Sequence, residues 1–67
     1  MNRDAVLMHD LAIGVHSMLC VLHLLGAVYN ARRGNRFDTL AHLGAATYDA
    51  QSAVRHVLES QRLRTEI

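Results

Sequence analysis

The chain contains no proline, one cysteine and three aromatic residues, Tyr29, Phe37 and Tyr48. Without proline, no position in the sequence imposes a break on a helix. A single cysteine, Cys20, excludes an internal disulfide. The N-terminus shows no secretory cleavage pattern, so the expected setting is reducing and cytoplasmic. Apolar packing has to rest on Leu, Val, Ala and Met. Charge of one sign is lacking too: seven basic and six acidic residues give a formal charge of +1, which argues against a dominant polyanionic partner. Sixty-seven residues make a single domain, 1–67. Chains of that length bury too small a share of their surface to be comfortable alone without disulfides, metal or oligomerisation.

What is present points to an all-α fold. Half of the residues are hydrophobic and good helix formers run throughout. Ala5 to Tyr29 is a candidate helix with apolar residues on most of its circumference. Asn2 or Asp4 is placed to cap it. In a seven-residue repeat, Met8, Val15, Leu22 and Tyr29 fall on one line and Leu11, Met18 and Leu25 on the next, forming its main apolar seam. A narrower strip, Val6, Ile13, Cys20 and Ala27, lies almost opposite. Two strips imply more than one neighbour.

The only credible turn is Asn30-Ala31-Arg32-Arg33-Gly34-Asn35-Arg36, with arginines at a helix C-terminus and Gly34 suited to the left-handed position just past it. Asn35 followed by Asp38 resembles a capping box, with Asp38 itself as the alternative cap. The expected elements are a helix over 4–32, a turn over 33–35 and a helix over 36–64. The second helix carries an apolar stripe, Leu40, Leu43, Thr47, Ala50, Val54, Val57 and Leu58, beside a line of small residues, Thr39, Ala46, Ala53 and Ser60. That small line matches Ala5, Ala12 and Gly26 on the first helix and predicts close antiparallel packing. A two-helix hairpin has no interior to hide the first helix. The economical fold is an antiparallel hairpin that dimerises into a four-helix bundle, with Leu11, Val15, Met18, Leu22 and Leu25 as the self-association residues.

Histidine is the compositional oddity, with five in the chain. His9, His16 and His23 are spaced by seven, as are His42, Asp49 and His56, and an antiparallel hairpin brings them level in the pairs 9 with 56, 16 with 49 and 23 with 42. Residues seven apart lie about 10 Å apart along a helix, too far to share an ion whose ligands sit at about 2 Å. No histidine has a second histidine or cysteine at i+3 or i+4, and the Glu-x-x-His and HExxH patterns are missing. Each line also projects about 130° away from its helix's main seam, which puts the two lines on opposite sides of one hairpin. A transition-metal or haem site built from His9, His16, His23, His42, Asp49 and His56 is therefore expected only between subunits. The plainer expectation is no cofactor, with the histidines hydrogen-bonding at an interface edge. A pH-sensitive interface is a further alternative, with His16 and Asp49 its first pair. Protonating all five, below about pH 6, would raise the formal charge from +1 to +6.

Other chemistry has little footing. Residues 11–29 form an uncharged window long enough for a bilayer, but His16 and His23 within it and the wet second helix argue against a membrane. Arginines cluster at 32, 33 and 36 and again at 55, 62 and 64 with no continuous basic face. RNA binding by a hairpin dimer is thus only an alternative, and nucleic acid is not the expected partner. Ser17, Ser52, Ser60 and Cys20 sit in no nucleophile elbow or glycine-rich turn, so no enzyme activity is expected. The leading expectation is a non-enzymatic interaction protein, a regulator, adaptor or phage-type inhibitor. It would bind itself and a larger protein, the latter through Val6, Ile13, Cys20, Phe37 and Tyr48.

Overall fold

A computed structural model describes residues 3–65, which form two α-helices, α1 over Arg3–Arg32 and α2 over Arg36–Thr65. They pack side by side as an antiparallel hairpin, a rod of 51 × 13 × 10 Å. Asn2, one of the two capping candidates, lies outside the described residues.

The joint between the helices spans Arg33, Gly34 and Asn35, and the last two shape it. Gly34 adopts φ 77°, a left-handed conformation that costs an ordinary residue about 1 kcal/mol or more. Its N–H donates to the Ala31 carbonyl at 3.1 Å, and that of Asn35 to the Asn30 carbonyl at 2.9 Å. Together these bonds satisfy the last carbonyls of α1 in a Schellman closure. Asn35 then starts α2. Its Oδ1 accepts from the Asp38 N–H at 3.2 Å, its Nδ2 donates to Asp38 Oδ2 at 2.6 Å, and its carbonyl accepts from Thr39. Asn35, rather than Asp38, is therefore the N-cap.

Which faces meet is the main departure from the sequence expectation. On α1 the residues withdrawn from solvent include Val6, His9, Ile13, His16, Cys20, His23, Ala27 and Asn30, alternating by three and four. On α2 the matching set is Thr39, His42, Ala46, Asp49, Ala53, His56, Ser60 and Leu63. Both are unbroken heptad seams. The small line of α2 lies in the contact as expected. The contact on α1 is made by the narrow strip together with the histidines, with Ala5, Ala12 and Gly26 partly withdrawn beside them.

The apolar lines that looked dominant face outward. Met8, Leu11, Val15, Met18, Leu22, Leu25 and Tyr29 are all more than half exposed, and Leu40, Val54 and Leu58 on α2 are too. Among the described residues only Ala27, Ala46 and Leu63 are buried apolar residues, accompanied by buried Asp49, Ser52 and Ser60. The hairpin is polar along its inside and oily along its outside. Small and polar residues can line the seam because both helices then approach closely, and no buried side-chain nitrogen or oxygen among the described residues lacks a partner.

Candidate functional site

The inner seam gathers every histidine of the chain. His9 Nδ1 lies 2.7 Å from His56 Nδ1, His16 Nδ1 lies 2.8 Å from Asp49 Oδ1, and His23 Nδ1 lies 3.1 Å from His42 Nδ1. The cross-strand levels are those read from the spacing. Their placement on opposite sides of the hairpin is overturned. That inference assumed each helix would turn its greasiest stripe to its sister. Because the stripes face out, both histidine lines rotate inward and meet within one chain, so no second subunit is needed to bring them together.

The pairs join into a run along the rod. The His16 and His56 rings stack with centroids 5.8 Å apart and planes 16° apart, linking the first pair to the second. Asp49 reaches both ways, with Oδ1 on His16 and Oδ2 at 3.8 Å from His23 Nε2. Its side chain is only 8% exposed. A carboxylate so withdrawn from water needs polar partners, and these two imidazoles supply them. Tyr48 meets His16 edge-on at 6.4 Å. The ring of His42 rests on the α1 backbone at Gly26, where a Cβ would stand 3.0 Å from ring atoms Cε1 and Nδ1. Gly26 is therefore what admits the imidazole between the helices.

At the open end, Asp10 holds the tail of α2. Ser60 Oγ donates to its Oδ1 at 2.8 Å, and Arg64 Nη2 to its Oδ2 at 2.5 Å. This clasp was not anticipated, because a lone aspartate followed by leucine carries no local signature. Glu59 is gripped by Arg62, one turn on. The Arg62 hydrogen bond holds its carboxyl below the usual glutamate range, against an opposing desolvation, with the charges of Arg62 and His9 adding to the effect.

The other sequence candidates fall into two groups. Val6, Ile13 and Cys20, expected to be left open for a partner, are half-buried on the α1 seam. Phe37 is 81% and Tyr48 64% exposed. Leu11, Val15, Met18, Leu22 and Leu25 form the exposed α1 face. Ser52 and Ser60 are buried and Ser17 is exposed. Arg33 donates to the Tyr29 hydroxyl at 2.7 Å and lies over its ring. The tip arginines and those near the open end sit toward opposite ends of the 51 Å rod, with no basic strip between them. Among the described residues, no group of three or more His, Cys, Asp or Glu side chains is placed to hold one ion. One described helix, α1, is long and apolar enough to cross a membrane, with mean hydropathy 2.0 over its most apolar window. No family model, curated protein or solved structure matches the chain.

Proposed function

We propose that this chain is a non-enzymatic interaction protein that works as a homodimer. Two copies lay α1 against α1 to form a four-helix bundle, whose α2 surfaces hold a larger protein through Phe37 and Tyr48. The observation that carries this reading is the outward face of α1. Twelve of the nineteen exposed large hydrophobic residues lie on α1, although the two helices have equal length. No charged side chain falls between Leu11 and Ala31. An apolar strip of that length, with water on it, marks an association surface.

The occupant that fits is a second copy. The face reads nearly the same in both directions about Met18, with Leu11 and Leu25 seven residues to either side and Val15 and Leu22 three and four away. A two-fold axis through Met18 would set Leu11 of each copy against Leu25 of the other, the reciprocal pairing of an isologous contact. Burying a leucine-sized side chain contributes about 1.5–3 kcal/mol, so a strip of five such residues on each copy offers a favourable term to set against the cost of association. Phe37 and Tyr48 lie on α2, clear of this contact, and aromatic residues are the side chains favoured at partner interfaces.

Sedimentation velocity of the full chain in aqueous buffer, with and without a mild detergent, tests the proposal. A species of twice the chain mass without detergent is the expected result. A monomer in plain buffer overturns it, as does material that stays dispersed only inside micelles, which would assign the α1 face to lipid.

A further inference from the structure

We propose that His23 and His42 form a two-nitrogen site for a borderline divalent transition-metal ion, copper(II) before zinc, which clamps α1 to α2 within a single chain. Two imidazole nitrogens that face each other across a helix pair can share either a proton or a metal. At His23 and His42 the geometry admits both. An ion about 2.0–2.1 Å from each Nδ1 would subtend an angle of roughly 100° over the observed 3.1 Å separation, between the square-planar and tetrahedral values. At His9 and His56 the 2.7 Å separation closes that angle to roughly 80° for the same bond lengths, so that pair is suited to the proton.

Two further observations single out the same pair. Asp49 Oδ2 stands 3.8 Å from Nε2 of His23, the nitrogen not aimed at His42. A carboxylate hydrogen-bonded to the far nitrogen of a ligating histidine sets its tautomer and ring orientation. At 3.8 Å the Asp49 oxygen lies just outside that bond, within reach of a small turn of the His23 ring. His42 is held by a different device, the absent Cβ at Gly26, which lets its ring seat against α1 with Nδ1 toward His23. Each ring thus has beside it a neighbour that does no ligating itself. Loading an ion moves the shared proton from between the Nδ1 atoms to an Nε2, so neutral imidazoles bind with no net proton change.

The protein supplies two donors and water completes the shell, which reaches His23 because its side chain is 33% exposed. The site is accordingly an exchangeable one. Imidazole donors suit copper, nickel and zinc, and among these divalent ions copper binds tightest. Both ligands come from one chain, so the inference stands whether or not copies associate.

Titration of the full chain with copper(II) chloride, and separately zinc chloride, in a non-coordinating buffer at neutral pH tests this. Binding is read by thermal melting and, for copper, by electron paramagnetic resonance. The expected result is saturation of the first site at one equivalent per chain, a rise in melting temperature, and a nitrogen-ligated copper spectrum. His23→Ala and His42→Ala should each weaken that site by tenfold or more and abolish the rise, while His9→Ala retains both. Gly26→Ala keeps every ligand and the helix but pushes the His42 ring by a few tenths of an ångström, and should weaken binding in the same direction by a smaller factor. This variant keeps the inference testable should a histidine variant fail to fold. Equal affinity in wild type, His23→Ala and His42→Ala would mean an adventitious ion only and overturn the site, as would binding without any melting rise.

Discussion

The inner seam and the outer face of this hairpin invert the usual division of labour. The seam joins two helices through His16, Asp49, His56, Ser52 and Ser60, with alanine as its commonest apolar member. The outer face of α1 carries Leu11, Met18, Leu22 and Leu25, each more than half exposed. Hydrogen bonds across the seam specify partner and register, since each is satisfied only at one level, but each contributes modestly, about 0.5–1.5 kcal/mol net. Apolar burial is non-directional and larger. The hairpin therefore draws its register from the inside, and in the proposed dimer the larger apolar term would come from the outside.

The largest expected effect comes from charging the outer face. Met18→Glu combined with Leu22→Glu should weaken self-association by at least about a hundredfold, since two apolar burials of about 1.5–3 kcal/mol each are lost and carboxylates are placed where water is excluded. Sedimentation equilibrium reads this directly. A dimer that survives the double variant would show that the outer face is not the contact and remove the contrast with the seam.

The seam sharpens the comparison in a different way. Asp49→Ala strands His16 and removes the group that faces His23, and should lower stability by about 1–3 kcal/mol. Replacing His16 and Asp49 together with leucine should recover most of that loss, because removing both partners of a buried polar pair is close to neutral. Chemical denaturation of the two variants checks the order. If the double variant is as unstable as Asp49→Ala, the seam supplies more than register.

The smallest effect belongs to the joint. Gly34→Ala forces a side chain into φ 77° and should cost about 1 kcal/mol without changing the association state. A larger loss in the melting profile would show that the turn helps to set the seam.

Much of this architecture is legible in the sequence. The turn follows from Gly34 and Asn35, the two helices from the lack of proline and the runs of apolar heptads, and the cross-helix levels from the spacing of His9, His16 and His23 against His42, Asp49 and His56. What the spacing did not convey is rotation about each helix axis. Ranking faces by hydrophobicity assigns Met8, Leu11, Met18 and Leu22 to the sister helix, whereas close approach of the backbones favours the face with the smallest side chains. Thr39, Ala46, Ala53 and Ser60 announced that face on α2. On α1 the corresponding clue was that Val6, Ile13, Cys20 and Ala27 interleave with the histidines in an unbroken alternation of three and four. The Asp10 clasp on Ser60 and Arg64 depends on that rotation, and so could not be read before it.

Asn35 completes the Schellman closure of one helix and caps the other, and this double duty reaches well beyond the turn. One residue more or fewer there would have to be absorbed inside the turn, because a shift carried into α2 would move it by about 1.5 Å and about a hundred degrees and part every imidazole on the rod from its opposite number. The joint acts as the zero mark of a ruler whose graduations are the histidines, and the length of this loop is therefore less free to drift than the identity of any single rung.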